Sequence, residues 1–427
     1  METKQKKILV FTVASFNNEG VGSGTWTTLL KGYDKNNIAS VFIRDEVPNS
    51  SVCGRYFSIS ENKVFKSILR RGMQTGTEVY PTGDVACNST DLQEHNARYS
   101  KMKKKRRYSM LLARELVWKL GKWHTKELDA FLDDFKPDVI LHSMEGYIHL
   151  NRIVLHAIKR TGAKAVGYIW DDNFTYKQSN RIGYKVYRYF QRRSLKKLAA
   201  KTKSFFAISD KTKAEADAFF NVDCHLLTKP LNCTPVVKYN EIHFPIRLLY
   251  TGNLYIGRDQ SLLKVVKAIE KFPPNVFCVD VYTHTELSDD VKKQLNDTIC
   301  HIHAPVPQSE VLELQKAADA LLFLEDIDGP DAHVARLSFS TKTTDYLSSG
   351  KCIVAVGNSD TAPMQYFIQH NAALVAESEK EIYDVLCRIY DAKDVLVDYA
   401  QNAAEVGIKN HNKEKIQSIF DEVLDRL

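Results

Sequence analysis

The chain has 427 residues, 44% of them hydrophobic and 26% charged, an ordinary globular balance that excludes disorder as the default for any long segment and predicts two or three separate cores. No apolar run approaches the roughly 20 residues that span a bilayer. The net charge of +7 is moderate but unevenly spread, since residues 101–107, KMKKKRR, hold six bases, and 177–203 hold ten bases and no acid.

In chain order, METKQKKILVFTVASF reads as a first strand rather than a signal peptide, because its apolar run is short, rich in β-formers and followed by the Gly-rich EGVGSG. The runs ASVFI, DVILHS, KAVGYIW and SFFAIS follow, then RLLYTGN, VFCVDVYTH, ICHIHA, DALLFL, CIVAVG and AALVA. Continuous apolar strands alternating with helical patterns predict an α/β protein with parallel sheets covered on both faces. These eleven runs are too many for one compact doubly wound sheet. The stretch TKPLNCTPVVKYNEIHFP, 228–245, is proline-punctuated and lacks either period. The expected division is therefore 1–235 and 236–405, two Rossmann-like domains facing a cleft, with 406–427 ending in an amphipathic helix that carries Ile416, Ile419, Phe420 and Leu424 on one side. Eight cysteines without a C-x-x-C pair, several of them inside apolar strands, indicate a reduced, cytoplasmic protein.

Ligands of open parallel sheets bind beyond the carboxyl ends of the strands, so the chemistry is sought in the loops there. After the first strand, Gly22, Ser23 and Gly24 lead into a helix, where glycines admit close approach of a ligand and a helix start favours an anion. The same residues serve equally as a tight strand-to-helix connection. In RLLYTGNLYIGRDQ, Gly252 and Asn253 close a strand and Arg258 stands at a helix start. A cation there opposes the helix dipole unless an anion lies between them, and a guanidinium grips phosphate oxygens in a fork. In SFSTKTTDYLSSGKCIVAVG, Ser338, Ser340, Thr341, Thr343 and Thr344 cluster around Lys342 at another helix start, with Asp345 one turn in and Gly350 as the stop. An anion cradle beside an acid that accepts two sugar hydroxyls reads as a nucleotide site. His301 and His303, spaced H-I-H on a strand, lack a nearby acid in sequence and read as ordinary histidines rather than metal ligands.

The order YTGNLYIGR, VPQSEVLELQKAADALLFL and FSTKTTDYLSSGKCIVAVG resembles the nucleotide-sugar half of the GT-B glycosyltransferases, in particular family 4 (group 1) of retaining enzymes. The first half resembles them less specifically, through KILVFTVASFNNEGVGSG, KPDVILHSMEGY, GYIWDD and FFAISDKTK. The resemblance implies that Arg258 grips a donor diphosphate, Asp345 holds the nucleotide ribose, Val306 lies near the base, and Gly22 to Gly24 approach the donor phosphates or sugar. It implies a nucleotide-diphosphate sugar donor, UDP or GDP, no cofactor, and a diphosphate charge met by Arg258, Lys342 and helix starts rather than by a metal. Two positions depart from the pattern. Leu337 stands where the family has the first acid of its Glu-seven-residues-Glu signature, and Asn253 where it has an arginine. Lys342, Ser340 and Thr341 would replace part of that contact set. On the acceptor side the candidates for a catalytic base are His142, Glu145 and Asp171, with Asp172 beside it, all just beyond predicted strand ends.

A helical wheel over the second basic stretch places Arg181, Lys185, Arg188, Arg192 and Lys196 on one face, with Arg193 adjoining, and Tyr184, Tyr187 and Leu198 toward another. A basic face with aromatic anchors reads as a helix lying on an anionic membrane surface, each base contributing about 1 kcal/mol. The combined expectation is a bacterial, cytoplasmic hexosyltransferase, peripheral on the inner face of the membrane, that serves surface polysaccharide assembly on a glycan or polyprenyl-linked acceptor and binds no nucleic acid. The alternatives are a nucleotide-sugar epimerase of the same fold and a non-catalytic basic protein that binds membrane or nucleic acid.

Overall fold

The computed structural model describes residues 6–16, 24–70, 72–81, 108–175, 181–232, 235, 239, 241–329, 332–333 and 335–427. The chain divides into two compact units, the first comprising 1–208, 213–227 and 418–427, the second 209–212 and 228–417.

Unit 1 is an eight-stranded sheet built from β1 (Ile8–Thr12), β2 (Ile38–Phe42), β3 (Arg55–Ile59), β4 (Gly76–Val79), β5 (Val139–Ser143), β6 (Lys164–Ile169), β7 (Ser204–Ala207) and β8 (Cys224–Leu226), in the order β4-β3-β2-β1-β5-β6-β7-β8. Every pairing is parallel except β3 with β4. β1, β2 and β5 are buried along their whole length, as strands covered on both faces must be. The helices that matter for the site are α1 (Gly24–Leu30), α2 (Lys126–Phe135), α3 (Ile148–Thr161) and α4 (Ile182–Ala199). Phe420, from the end of the chain, sets its ring edge-on to Trp26 at 6.3 Å, and Asp421 accepts a 2.6 Å hydrogen bond from the Tyr33 hydroxyl.

Unit 2 is a six-stranded, all-parallel sheet of β9 (Ile246–Thr251), β10 (Phe277–Tyr282), β11 (Cys300–His303), β12 (Ala320–Leu324), β13 (Cys352–Val356) and β14 (Leu374–Ala376), in the order β11-β10-β9-β12-β13-β14. It carries α5 (Arg258–Ile269), whose Leu262, Leu263, Val265 and Val266 are buried against the sheet, and the short α6 (Thr341–Leu347).

Strand order reverses once in each sheet. The chain moves outward from β1 through β2 and β3 and then returns to place β5 on the other side of β1. In unit 2 it moves outward from β9 through β10 and β11, then places β12 on the other side of β9. Ligands of such sheets bind beyond the carboxyl ends of the strands at these two reversal points, beside β1 and β5 in unit 1 and beside β9 and β12 in unit 2.

Candidate functional site

In unit 2 the loops after β9 and β12 converge. Leaving β9, Gly252 adopts φ +132°, and a Cβ at this position would stand 2.4 Å from the Lys342 Nζ and 2.5 Å from its Cε. Only glycine lets the lysine run across the strand end. The amine lies 4.1 Å from the centroid of the Tyr250 ring and donates to the Tyr250 hydroxyl at 2.9 Å, and that hydroxyl donates onward to the Asn253 carbonyl at 2.6 Å. Burial, with the Arg258 charge adding to it, pushes the Lys342 amine down to about 7, while Glu325 pulls the other way. Lysine is therefore poised to take up a proton when an anion arrives.

Arg258, the first residue of α5, forms a forked ion pair with Glu325, which directly follows β12, at 2.9 to 3.1 Å. The Glu325 side chain is only 3% exposed. The expected diphosphate clamp is thus already neutralised by a buried carboxylate, which leaves Lys342 as the less compensated cation of the loop pair. Beside it, Asp326 accepts from the Gly329 amide at 3.0 Å and turns its other, buried oxygen toward Gly257 with no hydrogen-bond partner. A Cβ at Gly257 would stand 2.3 Å from the Asp326 Cγ, and its φ is +72°. The preceding Ile256 also has positive φ, +62°, a genuine outlier for a β-branched residue.

In α6, Ser340 caps the helix by accepting from the Lys342 amide at 3.2 Å, and Thr344 bonds back to the Thr341 carbonyl at 2.9 Å. Thr343 Oγ1 is buried without a partner, and Thr341 is exposed. Only one of the five hydroxyls is a cap; of the others, Thr344 closes its own turn. Asp345 holds Lys229 at 2.5 Å and is half-buried. Asn253 is exposed and Val306 half-exposed.

In unit 1 the loop after β5 carries Glu145. Burial pushes its carboxyl up to about 7, with repulsion from Asp171 adding to it, against hydrogen bonds to Ser143 and Trp170 and the charge of Arg44. The next residue, Gly146, is clamped by α4: its carbonyl accepts from the Tyr187 hydroxyl at 2.9 Å and from Gln191 at 3.3 Å. Asp171 is exposed after β6, and Asp172 closes its own turn by accepting from the Thr175 amide at 2.8 Å and hydroxyl at 2.6 Å. Two carboxyls in different environments, one raised and one exposed, are the arrangement that separates proton-holding roles.

Several expectations need correction. His142 lies inside β5, wholly buried, with Nε2 at 3.0 Å from the Thr202 hydroxyl, and burial pushes it down to about 4. It is a satisfied core histidine with no access to a substrate. Tyr184 and Tyr187 are buried in unit 1, so they cannot anchor α4 to a membrane. The exposed apolar members of α4 are instead Ile182, Val186, Tyr189 and Phe190. Arg181, Lys185, Arg193 and Lys196 are exposed, whereas Arg188 donates to the Thr175 carbonyl and Arg192 lies 4.5 Å from the Phe219 ring centroid. A groove of about 670 Å³ runs along this helix past Lys185, Arg188, Arg192 and Lys196. His301 and His303 do have an acid nearby, since β10 places Asp280 at 3.3 and 2.9 Å from them, and Arg247 holds the same carboxylate at 3.1 Å. Gly22 and Ser23 lie outside the described residues, and Gly24 opens α1.

Sequence reasoning missed Glu325, Asp326, Lys229 and Tyr250. The signal for the first two was present in FLED, two acids directly after an apolar strand. Lys229 and Tyr250 carry no local signal, because only the fold brings them to Asp345 and Lys342.

No protein-family model matches the chain, and no curated protein matches its sequence. Solved structures match over its whole length. The structure of Anabaena Alr3699/HepE in complex with UDP has a TM-score of 0.62 at 11% identity, covering 99% of this chain and 100% of that one. Sucrose-phosphate synthase (tll1590) from Thermosynechococcus elongatus gives 0.60 at 11%, covering 99% of each chain. TarM gives 0.59 at 10%, again with 99% of each. The chain has the GT-B fold, two Rossmann-like α/β units.

Proposed function

We propose that the protein is a glycosyltransferase that moves a sugar from a nucleotide-diphosphate sugar to a hydroxyl of a glycan or lipid-linked glycan. The observation that carries this reading is the lysine laid across Gly252 at the strand-order reversal of unit 2, an amine held near neutrality where an anionic ligand of such a sheet binds. The likeness to structures that hold UDP and UDP-glucose supports the same reading.

In this reading the donor diphosphate recharges Lys342, which then stabilises the negative charge that builds on the leaving phosphate. Arg258 acts with Glu325 as a fixed dipole that shapes the loop, and contributes its remaining donor capacity to the phosphates. Asp345, released from or sharing Lys229, accepts the ribose hydroxyls, and Ser340 and Thr341 present donors to the diphosphate. Unit 1 supplies the acceptor side, with Glu145 as the proton acceptor and Asp171 raising its basicity. A retaining outcome, in which the leaving phosphate takes the proton, leaves Glu145 to orient the acceptor. Surface polysaccharide assembly at the inner face of a membrane is the setting that suits the exposed bases of α4, and among the described residues no helix is long and apolar enough to cross a membrane.

The reading is tested by incubating the purified protein with a panel of nucleotide sugars and following release of the free nucleotide diphosphate. Slow release from one donor, lost in Lys342→Met, supports it. Intact donors throughout the panel, with or without glycan acceptors, contradict it.

A further inference from the structure

Away from the sheet reversals, three side chains of unit 1 converge on one point. His124 lies in the loop before α2, Asp129 in the first turns of α2, and His156 on α3. The His124 Nε2 stands 3.0 Å from Asp129 Oδ2, and the His156 Nε2 stands 2.7 Å from Asp129 Oδ1. The three ligand atoms lie within 4.8 Å of one another. The two imidazole rings are 4.2 Å apart, and Trp123 walls them on one side at 5.6 and 5.9 Å.

Nothing in the proposed transfer uses these residues. Two neutral imidazoles can both donate to one carboxylate, so the cluster is self-consistent without a ligand. A metal ion would replace these hydrogen bonds after a small adjustment. A tetrahedral zinc ion with Zn–N bonds of about 2.0 Å sets its ligand atoms about 3.3 Å apart, slightly wider than the 2.7 and 3.0 Å His–Asp contacts and inside the 4.8 Å within which the three ligand atoms lie. Asp129 offers one carboxylate oxygen to each imidazole, so all three side chains already aim their ligand atoms at one place. One side is open, since the His124 side chain is 50% exposed, while Asp129 and His156 are only 20% and 19% exposed. The adverse charge is Arg160, 3.5 Å from Asp129 Oδ2, but its guanidinium is engaged by Asp133 through two hydrogen bonds. The loop is also fixed in place, because Thr125 caps α2 by accepting from the Leu128 amide.

We propose that His124, Asp129 and His156 bind a borderline transition-metal dication of the Zn²⁺ class, with water in the remaining position. Two nitrogens and one carboxylate oxygen favour Zn²⁺ over Mg²⁺ or Ca²⁺, which take oxygen ligands. The ion would tie the 121–125 loop and α2 to α3, and so act as a clamp on the fold of unit 1 rather than as a participant in transfer.

The test is a titration of full-length, tag-free, EDTA-treated protein with Zn²⁺ against a chromophoric chelator. One equivalent should bind, and Co²⁺ in its place should give the intense visible absorption of a tetrahedral site. His124→Ala and His156→Ala should each weaken Zn²⁺ binding by about 100-fold or more, since even loss of a supporting contact costs 10- to 100-fold. Asp280→Asn, at the other His-Asp cluster, should leave it unchanged. Absence of competition with the chelator, or binding that survives in both histidine variants, overturns the proposal. Should His156→Ala fail to fold, His124→Ala alone decides, because its side chain is half-exposed.

Discussion

Glu145 and Lys342 are single residues whose environments move them to the same pH from opposite sides. The carboxyl of Glu145 is pushed up to about 7 by burial and Asp171, and the amine of Lys342 is pushed down to about 7 by burial and Arg258. For Glu145 the folded state binds the proton more tightly than the unfolded chain, so its contribution to stability is greatest at low pH and is lost as pH rises through 7. As the base of the proposed reaction it must be ionised, so activity should rise over that same interval. Glu145→Gln is therefore expected to lower kcat by about 100-fold or more, abolish the rise in rate near pH 7, and keep or raise the melting temperature at pH 8. A pH–rate profile beside a melting curve checks this, and a fall in melting temperature at pH 8 would show that the residue is structural.

For Lys342 the sign is reversed. The unfolded chain binds the proton more tightly, so this residue makes the fold more stable as pH rises from about 7 toward the ordinary lysine range. In the proposed function a bound diphosphate would restore the charge, so donor affinity should fall as pH rises above 7, and binding should take up a proton there. Calorimetry of a nucleotide sugar in buffers of different ionisation enthalpy measures that uptake directly. A nucleotide sugar is the proper probe, since a terminal phosphate titrates itself near about 6. Lys342→Met should abolish both the uptake and the pH dependence.

At the scale of elements, the β9–α5 and β12 loops are held together by the Arg258–Glu325 pair. Removing one member of a buried ion pair leaves a charge without compensation and costs about 3–5 kcal/mol. Arg258→Ala should thus destabilise unit 2 whatever it does to a donor, and loss of binding in that variant alone says little. The informative comparison is the double-mutant cycle of Arg258→Met and Glu325→Leu by chemical denaturation, in which the double variant should be markedly less damaged than the sum of the singles. Additive costs would mean that the two side chains act independently. For α4, Lys185→Glu, Arg193→Glu and Lys197→Glu together should abolish sedimentation with anionic vesicles without altering the melting temperature, because all three are exposed. Arg188 and Arg192 are poor choices here, since both have partners within unit 1. Vesicle binding that survives the triple variant would show that α4 is not the membrane-binding surface.

Much of the molecule at full scale could be read from its amino acids. Apolar runs such as CIVAVG and DALLFL, with no polar alternation, are legible as strands buried on both faces, and two sets of them as two sheets. The loops at the carboxyl ends were legible as well, through Gly252, Arg258 and Lys342. Partnership was not. Arg258 meets Glu325 across 67 positions of sequence, and Lys229 meets Asp345 across 116, distances over which no periodicity carries information. Access was not legible either, because an alternating pattern cannot say whether His142 faces a layer of helices or a crevice, and the fold puts it in the core. The amphipathic wheel misplaced Tyr184 and Tyr187 for the same reason, since a basic helix can bury its aromatic side in its own domain.

In the proposed function, unit 2 binds a nucleotide diphosphate at the reversal between β9 and β12. That binding is tested most directly by thermal melting of the protein against UDP, GDP, dTDP, CMP and ADP, each in the wild type and in Lys342→Met. A ligand bound only by the folded state stabilises it by about 2.7 kcal/mol at a hundredfold excess over its Kd. One diphosphate should give a saturable rise in melting temperature that is lost in the variant. No rise with any nucleotide, or a rise that Lys342→Met leaves intact, would contradict it.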